Sequence, residues 1–76
     1  MRKPSKLLLV TLSENVQKFR RENSLSQEEL AELCGFHRTY IGSIERCERN
    51  VTLSTLETLS KTLNTSVPHL LSKDTQ

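Results

Sequence analysis

The sequence predicts an all-α fold made of five short helices, and three observations lead to that class. Leucine is the commonest apolar residue, whereas the 76-residue chain has only two glycines and two prolines. Apolar residues recur at steps of three and four along several segments, which is the period of an amphipathic helix. Ser, Thr and Asn stand at the ends of these segments, as helix-capping residues do. We therefore predict one compact domain over residues 1–76.

The first helix is predicted to start near Ser5 and to run to about Asn23. Its apolar stripe recurs at three- and four-residue steps and comprises Leu9, Leu12, Val16 and Phe19. The basic residues near its carboxyl end are Lys18, Arg20 and Arg21. Because positive charge at that end complements the helix dipole, these side chains are interpreted as stabilising the helix.

The next two helices are predicted at about residues 27–34 and 38–46. Ser26 and Glu29 have the spacing of a capping box at the start of the first of them. Gly35 falls just past its end, where glycine adopts a left-handed conformation without steric cost. The side chains predicted to face the core are Leu30, Ala31, Leu33, Phe36, Ile41 and Ile44. Those predicted to face outward are Arg38, Thr39, Ser43 and Arg46.

Two short helices joined in this way are typical of a DNA-binding helix-turn-helix, in which the second helix enters the major groove. Ala31 is small at the point where a second helix must cross closely. The cations between residues 37 and 50 are all arginines, namely Arg38, Arg46 and Arg49. The planar guanidinium matches the two acceptor atoms of guanine. The alternative is an ordinary helical hairpin with a solvated arginine face. Such a hairpin does not require the joint spacing of Ala31, Gly35, Ile41 and Ile44.

The last two helices are predicted from their caps. Thr52 precedes a helix of about residues 53–63, whose apolar stripe comprises Leu53, Leu56, Leu59 and Leu63. Asn64 is predicted to end this helix in a left-handed conformation. Ser66 then caps a short helix with Pro68 in its first turn, where a missing amide is tolerated. Its apolar face comprises Val67, Leu70 and Leu71, and residues after about Ser72 are expected to fray.

The net charge of +2 is small, but the charged residues are unevenly distributed. Nine of the 11 Lys and Arg residues fall into three clusters, which are Arg2, Lys3 and Lys6; Lys18, Arg20 and Arg21; and Arg38, Arg46 and Arg49. The acids of the second helix lie together and are Glu28, Glu29 and Glu32. Separate patches suit a protein with one DNA-binding face and a different second surface. The acidic trio is interpreted either as a solvated helix face or as a contact for a basic surface of RNA polymerase.

The composition argues against several other classes. The longest apolar run, residues 7–10, is four residues long and cannot span a bilayer, so no membrane association is expected. Cys34 and Cys47 are isolated thiols, which indicates a reducing compartment and a cytoplasmic location. Together with His37 and His69 they match no common zinc spacing, so no metal is expected. No activated nucleophile, glycine-rich phosphate loop or sizeable pocket is predicted, so we expect no enzyme, cofactor or small-molecule ligand.

Residues 12–71, about four fifths of the chain, resemble the lambda-repressor-like, Cro/C1-type helix-turn-helix domain. Within them the segment RTYIGSIERCERNVT, residues 38–52, is similar to the controller proteins of bacterial restriction–modification systems. Those are small homodimeric regulators that bind operators upstream of their own gene and of the endonuclease gene. They activate transcription at low occupancy and repress it at high occupancy. The resemblance therefore implies a compact five-helix lambda-repressor-like fold and a sequence-specific transcription regulator.

Carried over residue by residue, the resemblance implies a DNA-binding face composed of Gln27, Arg38, Thr39, Tyr40, Ser43, Arg46, Arg49 and Asn50. Gln27, at the amino end of the second helix, is implied as a phosphate contact. The start of the recognition helix would read bases through Arg38 and Thr39. The side chains of Tyr40 and Ser43 are implied as contacts to the backbone or the groove edge. The predicted recognition helix ends at Arg46, and the loop after it contains Arg49 and Asn50.

The sequence departs from the family pattern at several positions. Many members have glycine where this chain has Ser24 and Cys47. A left-handed conformation at Cys47 would carry about 1 kcal/mol of strain, and another path would displace the loop that follows. His37 stands where a small capping residue is usual. Gly42, inside the recognition helix, either lets the helix approach the duplex closely or relieves a clash in the core.

A homodimer is expected, with a dimer surface composed of Leu53, Leu56, Val67, Leu70 and Leu71. Two recognition helices related by two-fold symmetry would enter successive major grooves about 34 Å apart, so the operator is expected to be an inverted repeat. Two alternatives stay open. One is a prophage-type repressor or antitoxin-like autoregulator, and the other, from a different class, is a helical protein-interaction adaptor that does not bind DNA.

Overall fold

The computed structural model describes residues 5–73, and within them the chain forms helices and no strand. The helices are α1 (Lys6–Glu22), α2 (Gln27–Cys34), α3 (Arg38–Glu45), α4 (Leu53–Thr62) and α5 (Val67–Leu71). The predicted number and order of helices are confirmed. The ends of α3 and α4 lie one residue earlier than predicted, because Arg46 and Leu63 are the capping residues. Arg2, Lys3 and most of the segment predicted to fray lie outside the described residues.

Each helix begins with a side chain that accepts a hydrogen bond from an amide of the first turn. These capping residues are Ser5, Ser26, His37, Thr52 and Ser66. The predicted capping box is confirmed, because the Glu29 amide donates to the Ser26 hydroxyl (3.0 Å) and the Ser26 amide donates to the Glu29 carboxylate (2.8 Å). The caps satisfy amides that have no partner within the helix, so local sequence alone sets where each helix starts.

The first four helices end in the same way, with one residue in a left-handed conformation. These residues are Ser24 (φ 57°), Gly35 (φ 75°), Cys47 (φ 64°) and Asn64 (φ 57°). After α3, for example, the Glu48 amide donates to the Ser43 carbonyl (2.8 Å) and the Cys47 amide to the Ile44 carbonyl (3.0 Å). This pair of hydrogen bonds defines a Schellman motif, and it turns the chain sharply away from the helix axis. The left-handed conformations predicted for Gly35 and Asn64 are confirmed.

The core is built from one apolar side of every helix. Its buried apolar residues are Leu12, Val16, Leu30, Ala31, Ile41, Ile44, Leu56, Leu59, Leu63 and Leu70. The prediction that Leu33 faces the core is wrong, since its side chain is exposed. The buried arc of α2 runs from Leu30 through Cys34 to Ala31, and Leu33 lies beyond the edge of that arc. Leu53, placed on the apolar stripe of α4, is 78% exposed.

The five-residue helix α5 is held in place from α1. The buried side chain of Asn15 donates to the carbonyl oxygens of Leu70 (2.9 Å) and Ser72 (2.8 Å). A helix this short is not stable by itself, so these bonds and the burial of Leu70 fix its position. Helix α1 packs against α3 and α5, while α2 packs against α3 and α4. This arrangement leaves one side of α2 and α3 open to solvent.

Candidate nucleic-acid interface

An open groove of about 350 Å³ lies between the start of α2 and the outer side of α3. It is lined by Gln27, Glu28, Arg38, Thr39, Gly42 and Arg46. Four residues that the sequence assigned to DNA binding therefore meet in one place, namely Gln27, Arg38, Thr39 and Arg46. The side chains of both arginines are largely exposed. Each guanidinium group lies near one exposed carboxylate, Glu28 for Arg38 (3.7 Å) and Glu48 for Arg46 (3.2 Å), and a phosphate or a base edge can replace such a partner at little cost.

Gly42 forms the floor of this groove. A Cβ atom built on it would lie 3.0 Å from Nη1 of Arg46 and 3.5 Å from Oε1 of Gln27. These nearest atoms belong to polar side chains of the groove and not to the core. The glycine therefore makes room for the two polar groups, and the suggestion that it relieves a core clash is wrong.

A buried ion pair fixes α3 against α1, and the sequence reasoning missed it. Nε of Arg20 lies 2.6 Å from Oε2 of Glu45, and Nη2 of Arg20 donates to Oε1 of Glu45 (3.0 Å). The hydrogen bond to Glu45 raises the pKa of Arg20 further above its ordinary value. The sequence had assigned Arg20 only to the dipole of α1. A signal was present, however, because Arg20 follows the buried Val16 by four residues, and Glu45 follows the buried Ile41 by four.

The same carboxylate also holds a residue of the groove. Nε2 of Gln27 donates to Oε1 of Glu45 (2.9 Å), which fixes the side-chain amide at the amino end of α2. Nη1 of Arg20 donates to the carbonyl of Leu25 (2.9 Å) in the turn before α2. Glu45 and Arg20 thus connect α1, the turn after it, α2 and α3. The relative position of the two helices of the groove depends on this network.

A second cluster joins α3 to the loop that follows it and contains Tyr40, Ser43 and Arg49. The prediction that Ser43 faces outward to DNA is wrong, since its side chain is buried and its hydroxyl donates to the Tyr40 carbonyl (2.8 Å). It is buried because the Schellman turn at Cys47 folds the following loop back over it. Tyr40 is half-buried, with its hydroxyl 3.3 Å from Oγ1 of Thr55.

The loop after α3 carries the remaining predicted contacts. Arg49 and Asn50 are both exposed, and Nε of Arg49 donates to the Ser43 hydroxyl (3.3 Å). The left-handed conformation of Cys47 is the strained path that the sequence analysis considered, so the loop keeps the course that glycine would give it. Cys47 is half-buried, with Sγ 3.8 Å from the Leu9 carbonyl.

His37 caps the recognition helix as the sequence suggested. Its Nδ1 accepts a hydrogen bond from the Thr39 amide (3.2 Å) and lies 2.8 Å from the Thr39 hydroxyl. This arrangement requires an unprotonated Nδ1, since a protonated nitrogen cannot accept. The imidazole therefore takes the role that a Ser, Thr or Asp side chain has at most helix starts.

The acidic residues of α2 differ in what they contact. Glu29 is committed to the capping box, whereas Oε2 of Glu28 lies 3.7 Å from Nη1 of Arg38 across the groove. Glu32 is exposed, and its carboxylate has no hydrogen-bond or ion-pair partner among residues 5–73. The trio is therefore one cap, one groove residue and one free surface carboxylate.

The predicted dimer surface separates into exposed and buried residues. The side chains of Leu56 and Leu70 are buried in the core of the protomer itself, so counting them as surface residues was wrong. Leu53 is exposed, and Val67 and Leu71 are half-buried at the edge of the core. The apolar surface available at α4 and α5 is therefore narrower than predicted.

The described part of the chain offers little for other chemistry. Among residues 5–73 no three His, Cys, Asp or Glu side chains are placed to hold a metal ion. Burial raises the pKa of the Cys34 thiol, which disfavours the nucleophilic thiolate. No helix within these residues is long and apolar enough to cross a membrane.

The fold and the arginine-lined groove define the class of protein. Residues 16–70 match the family model described as helix-turn-helix, and the chain belongs to this family in its Cro/C1-type form. It is a DNA-binding transcription regulator. The resemblance to the lambda-repressor-like domain is thereby confirmed.

Individual relatives are more specific. The control protein C.SmaI from Serratia marcescens is 68% identical over 62 residues, which cover 82% of this chain and 74% of that protein. The control protein C.BamHI from Bacillus amyloliquefaciens is 48% identical over 50 residues, covering 66% of this chain and 62% of that protein. The crystal structure of the restriction–modification controller protein C.AhdI from Aeromonas hydrophila superimposes with a TM-score of 0.78 at 37% identity, over 82% of this chain and 94% of that chain. The predicted similarity to restriction–modification controllers is confirmed.

Proposed function

We propose that this protein is the controller of a restriction–modification system. It binds an operator upstream of its own gene and of the endonuclease gene in the cytoplasm, activating both at low occupancy and repressing them at high occupancy. The observation that carries this proposal is the 68% identity to C.SmaI over most of the chain. Controllers of this kind are regulators and not enzymes, so no catalytic step is part of the proposed function.

The groove supplies the chemistry for sequence recognition. Arg38 and Thr39 read base edges, while Gln27 and Arg46 contact the phosphates beside them. Exposure of both arginines and the small volume of Gly42 support this assignment, because a helix must come close to the duplex to place two guanidinium groups in the major groove. Arg49 and Asn50 contact the DNA next to the end of the recognition helix.

The DNA-bound form is a homodimer on an inverted repeat. Its dimer surface contains Leu53, Val67 and Leu71, the exposed and half-buried members of the predicted set. Leu53→Glu places a charge on an exposed position, so it is expected to weaken association without unfolding the protomer. Sedimentation equilibrium measures the change, and a dimer of unchanged affinity would remove Leu53 from the surface.

Activation requires a contact with RNA polymerase, and Glu32 is the acid of α2 best suited to it. Glu32 has no other role among the described residues, whereas Glu28 lies in the groove and Glu29 caps the helix. Glu32→Lys is therefore expected to reduce transcription activation in vitro while operator affinity stays within about twofold. Unchanged activation would leave the acids as a solvated helix face.

The decisive experiment is the selection of bound duplexes from a random pool at a fixed salt concentration. Enrichment of an inverted repeat with half-sites about one helical turn apart supports a dimeric regulator. The enriched sequence, located upstream of an endonuclease or methyltransferase gene, supports the controller. A match instead at a prophage promoter would favour a repressor.

The adaptor alternative makes the opposite prediction. A folded dimer that enriches no sequence, and whose weak DNA binding does not fall with rising salt, would lack phosphate contacts. That result would overturn DNA recognition through the groove.

A further inference from the structure

The side chain of Arg49 is held in one direction by two residues of α3. Its Nε donates to the hydroxyl of Ser43 (3.3 Å), and its Cζ lies 5.6 Å from the centre of the Tyr40 ring. The first contact occupies Nε, and the second places the guanidinium group over the face of the ring. The terminal nitrogens Nη1 and Nη2 have no hydrogen-bond or ion-pair partner among residues 5–73.

The hydroxyl of Ser43 is oriented to accept from Arg49. Its single proton is given to the Tyr40 carbonyl (2.8 Å), so its oxygen presents lone pairs to the loop. The side chain of Ser43 is also buried, and the Glu48 amide donates to the Ser43 carbonyl (2.8 Å). The backbone turn and the side-chain contact therefore bring the loop to the same residue.

The ring of Tyr40 is itself held from two sides. Phe36 packs edge-on against it, with ring centres 5.2 Å apart and an angle of 88° between the planes. Its hydroxyl lies 3.3 Å from Oγ1 of Thr55, which in turn accepts from Oγ1 of Thr52, the cap of α4. The aromatic surface beneath Arg49 is therefore anchored to both α3 and α4.

We propose that Ser43 and Tyr40 are positioning residues that present Arg49 to DNA by its two terminal nitrogens, and that the buried Ser43 does not contact DNA itself. The inference rests on the proposed DNA-binding role of Arg49. A guanidinium whose Nε is occupied still offers a parallel pair of donors from Nη1 and Nη2, which match the O6 and N7 acceptors of a guanine edge. Because Arg49 is already ordered in the free protein, binding does not have to immobilise it.

The loss of this restraint has an expected size. Ordering one long side chain on binding weakens affinity about two- to tenfold. Ser43→Ala is therefore expected to weaken operator binding by about two- to tenfold, and to reduce the preference for one base pair, the same pair at which Arg49→Ala relaxes the preference. The preference at other positions stays unchanged.

The chain offers a matched control in Ser60. Ser60 is likewise a buried serine near the end of a helix, and its hydroxyl donates to the carbonyl three residues before it, Glu57 (2.8 Å). Its own carbonyl also accepts from the amide of Thr65, as that of Ser43 does from Glu48. No arginine contacts its hydroxyl among the described residues, so Ser60→Ala tests the loss of a buried hydroxyl alone.

The experiment is a double-mutant cycle on the labelled duplex recovered by selection, measured by fluorescence anisotropy at one salt concentration. It compares the wild type with S43A, R49A, the double variant S43A/R49A and the control S60A. We expect S43A to weaken binding, S60A to leave it unchanged, and S43A to have no further effect once Arg49 is absent. In the ¹⁵N-labelled free protein, the Nε–H resonance of Arg49 is expected to exchange faster with solvent in S43A than in S60A.

Other outcomes separate this inference from the function on which it rests. If R49A weakens binding and S43A does not, the positioning role is overturned and the role of Arg49 stands. If S43A weakens binding equally with and without Arg49, Ser43 contacts DNA itself and the inference fails. If R49A leaves affinity and base preference unchanged, the proposed DNA-binding role of Arg49 is wrong. The inference about Ser43, which rests on that role, is then wrong as well.

Discussion

The recognition helix contributes to two arginine–glutamate pairs, one on each side, and they differ in nearly every respect. On the inner side Nε of Arg20 and Oε2 of Glu45 are 2.6 Å apart, with side chains 12% and 4% exposed. On the outer side Nη1 of Arg38 and Oε2 of Glu28 are 3.7 Å apart, with side chains 69% and 73% exposed. The inner pair is bidentate and further hydrogen-bonded to Gln27, whereas the outer pair has a single long contact.

The difference explains how one helix can be fixed in the fold and still present Arg38 to a ligand. Exposed pairs contribute about 0–1 kcal/mol, so water or a phosphate replaces Glu28 at little cost. A buried pair is different because removing one partner leaves a charge without compensation inside the protein. The inner pair therefore sets where the helix lies, and the outer pair leaves Arg38 ready to exchange partners.

The largest expected effect comes from breaking the inner pair. Glu45→Ala should lower the free energy of unfolding by about 3–5 kcal/mol, because Arg20 would remain largely buried without its partner. Because this loss is comparable to the whole stability of a domain this small, the variant is expected to be largely unfolded, and the loss of its helical circular-dichroism signal in buffer measures the effect. Urea denaturation compares the wild type with a control at an exposed pair. Glu48→Ala, which removes an exposed pair with Arg46, should change stability by less than about 1 kcal/mol. Equal effects of the two substitutions would contradict the comparison.

Removing the arginine of the outer pair should affect DNA recognition and leave stability nearly unchanged. Arg38→Ala is expected to lose about 1–3 kcal/mol of discrimination at one base pair, because a bidentate contact to a base edge is lost. Affinities for the operator and its single-base variants provide the measurement. A uniform loss across all variants would show that Arg38 contacts phosphate and not a base.

A methyl group added at Gly42, in the floor of the groove, should have opposite effects on stability and on DNA binding. Gly42→Ala should raise the free energy of unfolding by up to about 1 kcal/mol through helix propensity. It should also weaken operator binding, because the new Cβ would lie 3.0 Å from Nη1 of Arg46 and push that group aside. Denaturation and anisotropy on the same sample test both directions. A variant with both a higher free energy of unfolding and tighter operator binding would mean that the bound DNA does not need the space above Gly42.

The smallest effect should follow the loss of the acid of the outer pair. Glu28→Gln should leave the free energy of unfolding within about 0.5 kcal/mol of the wild type. It should strengthen DNA binding about twofold at low salt, because Arg38 loses a competing partner and the groove loses a negative charge. Titrations at two salt concentrations reveal whether the gain shrinks as salt rises. Weaker binding would instead assign Glu28 a direct role at the interface.

Local signals made the helices predictable. Ser5, Ser26, Thr52 and Ser66 mark helix starts through contacts within three residues, so the sequence contains all that is needed to place them. Gly35 and Asn64 mark helix ends for the same reason. The groove residues followed because they lie on the outer sides of two helices whose bounds were already known.

The errors arose where distant segments meet. Arg20 and Glu45 are 25 residues apart, so the helical period places each on a buried side but does not pair them. Ser43 was assigned to the outside because helix periodicity does not include the loop that returns over it. Leu56 and Leu70 were assigned to a dimer surface because an apolar side chain has the same pattern whether it faces a partner or its own core.

The four left-handed helix ends have a consequence for protein engineering. Two of them carry serine or cysteine where glycine would adopt the conformation freely, at a cost of about 1 kcal/mol each. A domain of this size has a total stability of only about 3–5 kcal/mol. Relief of the strain at these two positions would therefore raise the free energy of unfolding by a large fraction. Ser24→Gly and Cys47→Gly thus provide a route to a more heat-resistant regulator that alters no side chain of the groove.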